Sequence, residues 1–136
     1  MLSKLLLIPI ISAFWIILLQ EAGCSKNNIQ RKSVISQEQS QKIAEEFLRN
    51  SPTFKFDGVE DTLKLVNTAV REKLYCWEFD YEFKCRHAGY GDRSGKILAQ
   101  VITLHRAMIV VQRGEVIHAM LDGRWDMLDQ KIVKGG

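Results

Sequence analysis

The chain has 136 residues, is 46% hydrophobic and 26% charged, and carries 19 Lys and Arg against 16 Asp and Glu, for a net charge of +3. These values describe one globular domain and exclude a disordered chain, and so mild a basic excess does not point to a nucleic-acid binder, which usually shows a concentrated basic face. Two prolines, nine glycines and three cysteines exclude collagen-like or low-complexity sequence and a dense disulfide framework.

Residues 1–23 read as a targeting segment. Lys4 is the only charge among the first 20 residues, and Leu5 to Leu19 is broken only by Pro9 and Ser12. A helix of that length covers ~22 Å, short of the ~30 Å hydrocarbon core. A basic start with a short apolar stretch fits an export signal, with an uncleaved signal anchor as the competing reading. Cys24 follows in the run Gln20-Glu21-Ala22-Gly23-Cys24-Ser25. This resembles a lipoprotein cleavage box. Ala22 and Gly23 are the small residues that let a peptidase reach the bond, and Cys24 supplies a thiol for lipidation. A diacylglyceryl group brings the two chains that durable anchoring needs. Glu21 departs from the pattern, which has an aliphatic residue three positions before the cysteine, and cleavage without lipidation is the third reading.

Residues 24–35 are polar and basic with no apolar period, and read as a tether. Lys26, Arg31 and Lys32 either contact anionic lipid heads, at ~1 kcal/mol each, or belong to a solvated spacer.

The folded part is expected over residues 36–131, with an α+β fold: one N-terminal amphipathic helix packed on an antiparallel sheet of about four strands. Ser36 and Gln39 form a capping-box pattern. Ile43, Ala44, Phe47 and Leu48 then make one apolar stripe at helical spacing, and Ser51-Pro52 ends the helix. Thr53 to Phe56 alternates like a strand, Asp57-Gly58 reads as a turn, and Leu63, Leu65 and Asn67 share one parity of a half-buried strand. The clearest strand is Leu74 to Arg86. Trp77, Phe79, Tyr81, Phe83 and Cys85 alternate with Glu78, Asp80, Glu82 and Lys84, which predicts one buried and one wet face. Ile97 to Val111 is a longer apolar run whose change of parity predicts a bend or bulge near His105. Turns follow at Gln112 to Glu115 and at Asp122-Gly123, around a strand over Val116 to Leu121, and Trp125 and Met127 close the domain.

No complete catalytic set is legible. Cys76 and Cys85 lie nine residues apart on one strand, ~30 Å, while bridged Cα atoms are ~5.5 Å apart, so they do not bridge each other. Their parity points Cys85 inward and Cys76 outward, where Cys76 is free to pair with another chain. Cys85 and His87 share a strand face, an arrangement open to thiolate chemistry or to simple core packing. His87, His105 and His118 lie at no metal-motif spacing, so no metal and no cofactor is expected. The row Glu78, Asp80, Glu82 reads as a solvated face.

The stretch Arg86-His87-Ala88-Gly89-Tyr90-Gly91-Asp92-Arg93-Ser94-Gly95-Lys96 is the least ordinary. Glycine-rich backbone beside arginine suits an anion. The ligand-binding candidates are His87, Tyr90, Asp92 and Arg93. Arg93 is the first contact, because its guanidinium forks onto carboxylate or phosphate. Tyr90 covers the site, and His87 adds charge in mild acid. The alternative is a structural hairpin loop in which Asp92 and Arg93 pair locally.

The run SPTFKFDG at Ser51 to Gly58, the loop RHAGYGDRSG, the run LAQVIT-x-H and the closing LDGRWDM together resemble a family of small, exported, uncharacterised proteins of archaea and bacteria. The likeness covers about Ser36 to Lys131 and implies export, not an activity. A helix followed by antiparallel strands that end in Val116 to Gly123 is also loosely similar to PepSY and cystatin-like modules. That similarity implies an extracytoplasmic, non-enzymatic domain that binds or inhibits. The reading that follows is a membrane-anchored extracytoplasmic binding or interaction domain, whose partner is an anionic small molecule, a peptide or a protein. Its competitor is a hydrolase or ligand-processing enzyme that uses His87, Asp92 and Arg93.

Overall fold

The computed structural model describes residues 34–134. The targeting segment, Cys24 and nearly all of the tether lie outside the described residues. Ser36 opens the fold as expected. Its hydroxyl accepts from the Gln39 N–H at 3.2 Å while the Gln39 side chain accepts from the Ser36 N–H at 3.0 Å. This satisfies two donors that a helix start otherwise leaves orphaned. Helix α1 runs Gln37–Asn50 and buries Ser40, Ala44 and Leu48, with Ile43 and Phe47 packed beside them.

A second helix corrects the expected strand at Thr53 to Phe56. Helix α2 spans Pro52–Asp57. Ser51 serves both helices: its N–H reaches the Leu48 carbonyl, and its hydroxyl accepts from the Phe54 N–H. Pro52 sits where a missing N–H costs nothing and its fixed φ suits a first helical turn. The alternation of Phe54 and Phe56 therefore reflects one turn of helix, with Phe54 in the core. The Asp57-Gly58 pair is not a hairpin turn but the junction into the next strand.

The sheet has six strands, all antiparallel, in sequence order: β1 Gly58–Val70, β2 Cys76–Cys85, β3 Thr103–Gln112, β4 Glu115–Leu121, β5 Trp125–Asp126 and β6 Lys131–Ile132. The α+β architecture stands, and two particulars are corrected. Among the described residues there are six strands rather than about four, because the short β5 and β6 are too brief to show a period. The helix starts well inside the chain at Gln37 and is not N-terminal.

β2 keeps the alternation read from its sequence. Phe79, Tyr81, Phe83 and Cys85 are buried against α1 and α2, while Glu78, Asp80, Glu82 and Lys84 face outward. The Tyr81 hydroxyl leaves the core to reach the Gln41 carbonyl of α1 at 3.2 Å. β3 pairs with β2 without a break from Thr103 to Gln112, so there is no bulge at His105. The irregularity lies instead between Val110 and Val111, against β4. Parity switched in the sequence because Met108 and Val110 on the outer face are as apolar as Ala107, Ile109 and Val111 on the inner one.

Both β2 cysteines are free thiols. Cys76 does sit on the outer face, yet it is buried, in a cleft it shares with Val70, Val110 and Ile117. That removes the exposed thiol which pairing with another chain would need.

Candidate binding site

The long connection from β2 to β3 is anchored by α2. Burial alone would raise the Asp57 carboxyl, but hydrogen bonds from His87 and Cys85 and the charge of Arg93 outweigh it and hold the group below the ordinary carboxylate range. One Asp57 oxygen takes the His87 N–H at 2.7 Å and lies 2.8 Å from its Nδ1; the other takes the Arg93 Nη2 at 2.6 Å.

Arg93 is only 2% exposed. Its Nη1 donates to the carbonyls of Gly89, Ala88 and His87 at 2.6, 3.2 and 3.4 Å, and its Nη2 also reaches the Thr53 carbonyl at 3.3 Å. The guanidinium lies over the Phe56 ring, 4.7 Å from its centroid. A planar fork of donors is the side chain that can serve this many converging acceptors. Two glycines let the loop close on it. Gly89 and Gly91 have φ of 101° and 71°, and a Cβ at either would lie 3.2 Å from Arg93 Cδ or from the Trp125 ring. The Gly91 N–H in turn donates to Thr53 Oγ1 at 2.8 Å.

A second carboxylate repeats the pattern at the β4–β5 turn. Asp122 lies 2.7 Å from His105 Nδ1, accepts from the Tyr90 hydroxyl at 3.0 Å and from the Arg106 N–H at 2.8 Å. Burial raises its carboxyl, and the bonds from His105, Arg106 and Tyr90 more than offset this and lower it. Tyr90 stacks on Trp125 with 5.5 Å between ring centroids and 9° between planes.

The four sequence candidates therefore part company. Arg93 and His87 meet at Asp57. Tyr90 belongs to the Asp122 cluster, and its ring lies flat on Trp125 rather than over an anion. Asp92 stays exposed and closes a local turn onto Ser94, through N–H and hydroxyl bonds of 2.9 and 2.5 Å. The local Asp92–Arg93 pair is not formed: the partner of Arg93 is Asp57, 36 positions away. Asp57, Thr53, His105 and Asp122 complete these clusters, and no local spacing could have placed them there. The one available signal was a lone arginine in a glycine-rich loop, a cation that burial obliges to find a distant carboxylate.

Cys85 lies at the floor of the first cluster. Burial, reinforced by the neighbouring Asp57, pushes its thiol up to about 12, which favours the protonated thiol over a thiolate beside His87. Among the described residues, no three His, Cys, Asp or Glu side chains come together as a metal site. Outside the clusters, α2 and the loop border an open cleft lined by Lys55, Phe56, Asp92 and Ser94.

No family model, no curated protein and no solved structure matches the chain.

Proposed function

We propose that the protein is an extracytoplasmic binding or interaction domain held at a membrane by its N-terminal segment, with Cys24 as the lipidated residue, and that it works without catalysis. The observation that carries this reading is the burial of Arg93. Of the residues the competing enzyme would use, Arg93 is spent on five acceptors, His87 is held by Asp57, and Asp92 closes a local turn onto Ser94, away from both. The loop is thereby a rigid platform, and rigid platforms that carry exposed segments are how small domains present binding surfaces.

In cells fed labelled fatty acid, the wild-type chain takes up label and fractionates with membranes, whereas Cys24→Ser accumulates as an unlabelled precursor. Equal label in the mutant rules out lipidation at Cys24. The competing hydrolase is tested by turnover of ester, amide and phosphoester substrates by the purified chain; turnover that His87→Ala abolishes overturns the binding reading.

A further inference from the structure

The half of the β2–β3 connection beyond Gly95 has the opposite character to the half that Arg93 holds. Ile97 is fully exposed, Ile102 72% and Leu104 59%. Between Ile97 and Ile102 the sole backbone hydrogen bond among the described residues is Val101 N–H to the Ala99 carbonyl. The N–H groups of Ile97, Leu98, Ala99, Gln100 and Ile102 thus have no partner among the described residues.

The exposure continues into β3. Pairing with β4 begins only at Ala107, opposite Leu121. The Arg106 N–H and carbonyl already point to the β4 side, where they meet Asp122. The alternation of an antiparallel ladder then turns the N–H and carbonyl of Leu104 the same way, and among the described residues no strand stands there to receive them. The strand itself begins at Thr103, and the stretch from Ile97 to Ile102 before it is irregular and folded back by the contact between Ala99 and Val101; the open edge at the start of β3, with the exposed Ile102 beside it, is a template for another strand. The long outer edge of β1 is blunted by two register shifts and by Glu60, Asp61 and Lys64; the edge from Ile102 to Leu104 has neither device.

Charge selects the occupant. Lys84 sits opposite Leu104, Lys96 precedes Ile97, Arg86 leaves the end of β2, and Arg124 follows the turn that meets Arg106. All four are exposed, and none forms an ion pair among the described residues. The carboxylates nearby have partners: Glu82 pairs with Arg106, Asp122 with His105, and Asp92, bonded to Ser94, lies within electrostatic reach of Lys96. We propose that the free start of β3, from Ile102 to Leu104, is a docking edge which takes an extended, acidic peptide segment of a partner protein as an added strand, with the irregular stretch from Ile97 to Val101 beside it. The peptide's backbone supplies the missing hydrogen bonds, its apolar side chains cover Ile102 and Leu104, and its carboxylates meet the four cations. A bilayer offers the unpaired backbone groups no partners in its core, and a second copy of this chain brings four more cations against the first four.

The inference deepens the binding reading and rests on it. The test uses the full chain in detergent and two fluorescent peptides, one alternating valine and glutamate, the other valine and lysine. The acidic peptide is expected to bind at least about tenfold tighter than the basic one and to weaken as salt rises. Methylation of the alternate backbone nitrogens on its bonding edge, or Ile102→Ser together with Leu104→Ser in the protein, is expected to weaken it at least about tenfold, with the melting temperature of the double variant unchanged. Ile102→Pro, which deletes one edge N–H, is expected to weaken it too. Equal binding of the two peptides, no binding by either, or affinity indifferent to N-methylation overturns the proposal. So does a dimer in sedimentation that the double variant dissolves, or binding of anionic vesicles by unlipidated Cys24→Ser that the double variant loses. If Cys24 is labelled but no peptide binds, the anchored reading stands and the edge fails; if peptide binds the unlabelled chain, the edge stands and the anchor fails.

Discussion

The two halves of the β2–β3 connection invert what their composition suggests. Arg86 to Gly95 is polar, charged and rich in glycine, yet its central arginine is among the most buried side chains of the domain. Lys96 to Ile102 is apolar, yet it lies in solvent. The difference comes from where hydrogen bonds can be satisfied. The first half has Asp57, Thr53 and its own carbonyls around both Nη atoms of one guanidinium, so a charge can be buried there because a carboxylate and four carbonyls meet it. Among the described residues the second half has no strand paired to it and no helix over it, and apolar side chains alone cannot draw unpaired backbone into a core.

The comparison breaks first at Arg93. Removing one partner of a buried charge pair leaves the other uncompensated, so Arg93→Ala is expected to cost ~3–5 kcal/mol, a large share of the ~5–15 kcal/mol that holds a domain together. Arg93→Lys restores little, because an ammonium cannot reach five acceptors in a plane. Thermal or urea melts read both; an Arg93→Ala chain as stable as wild type would mean that the loop is not held by this side chain.

Phe79 calibrates that loss against ordinary packing. It is fully buried on β2, so Phe79→Ala is expected to cost ~3–5 kcal/mol. Glu78→Ala, one residue away on the outer face and paired with Arg71, is expected to cost no more than ~1 kcal/mol, as for exposed ion pairs. Equal melts for the two variants would overturn the facing of β2.

Acid separates the halves more gently. The Asp57 and Asp122 carboxyls lie below their ordinary value in the folded protein, which is about 3.9 in the unfolded chain. The stability they confer is complete above that value and is lost as pH falls through their folded values. The melting temperature is therefore expected to be level near neutrality and to drop below about pH 4. Asp57→Asn is expected to lower stability at neutral pH and to make the acid decline shallower. An unchanged acid slope in that variant would assign the titration to other groups.

The smallest effect belongs to the free half. Ile97→Ser should change stability by less than ~0.5 kcal/mol, as for exposed positions without partners. A loss above ~1 kcal/mol, larger than the usual surface effect, would show that this side chain is packed in solution.

Patterns that repeat within a few residues were legible without the fold. The Ser36–Gln39 capping box, the apolar stripe of α1, the two faces of β2 and the turns at Arg113-Gly114 and Asp122-Gly123 each follow from hydrogen bonds or side-chain periods that close over two to four positions. Short segments misled: one helical turn at Pro52–Asp57 imitates strand alternation, and β5 and β6 are too brief to carry a period. The clusters at Asp57 and Asp122 were decided by tertiary structure alone. Arg93 and Asp57 lie 36 positions apart, and His105 and Asp122 lie 17 apart. Sequence spacing constrains side chains only along one element. Which carboxylate meets which cation across elements depends on how α2 caps the sheet and how β4 turns back, and that emerges only when the core has closed.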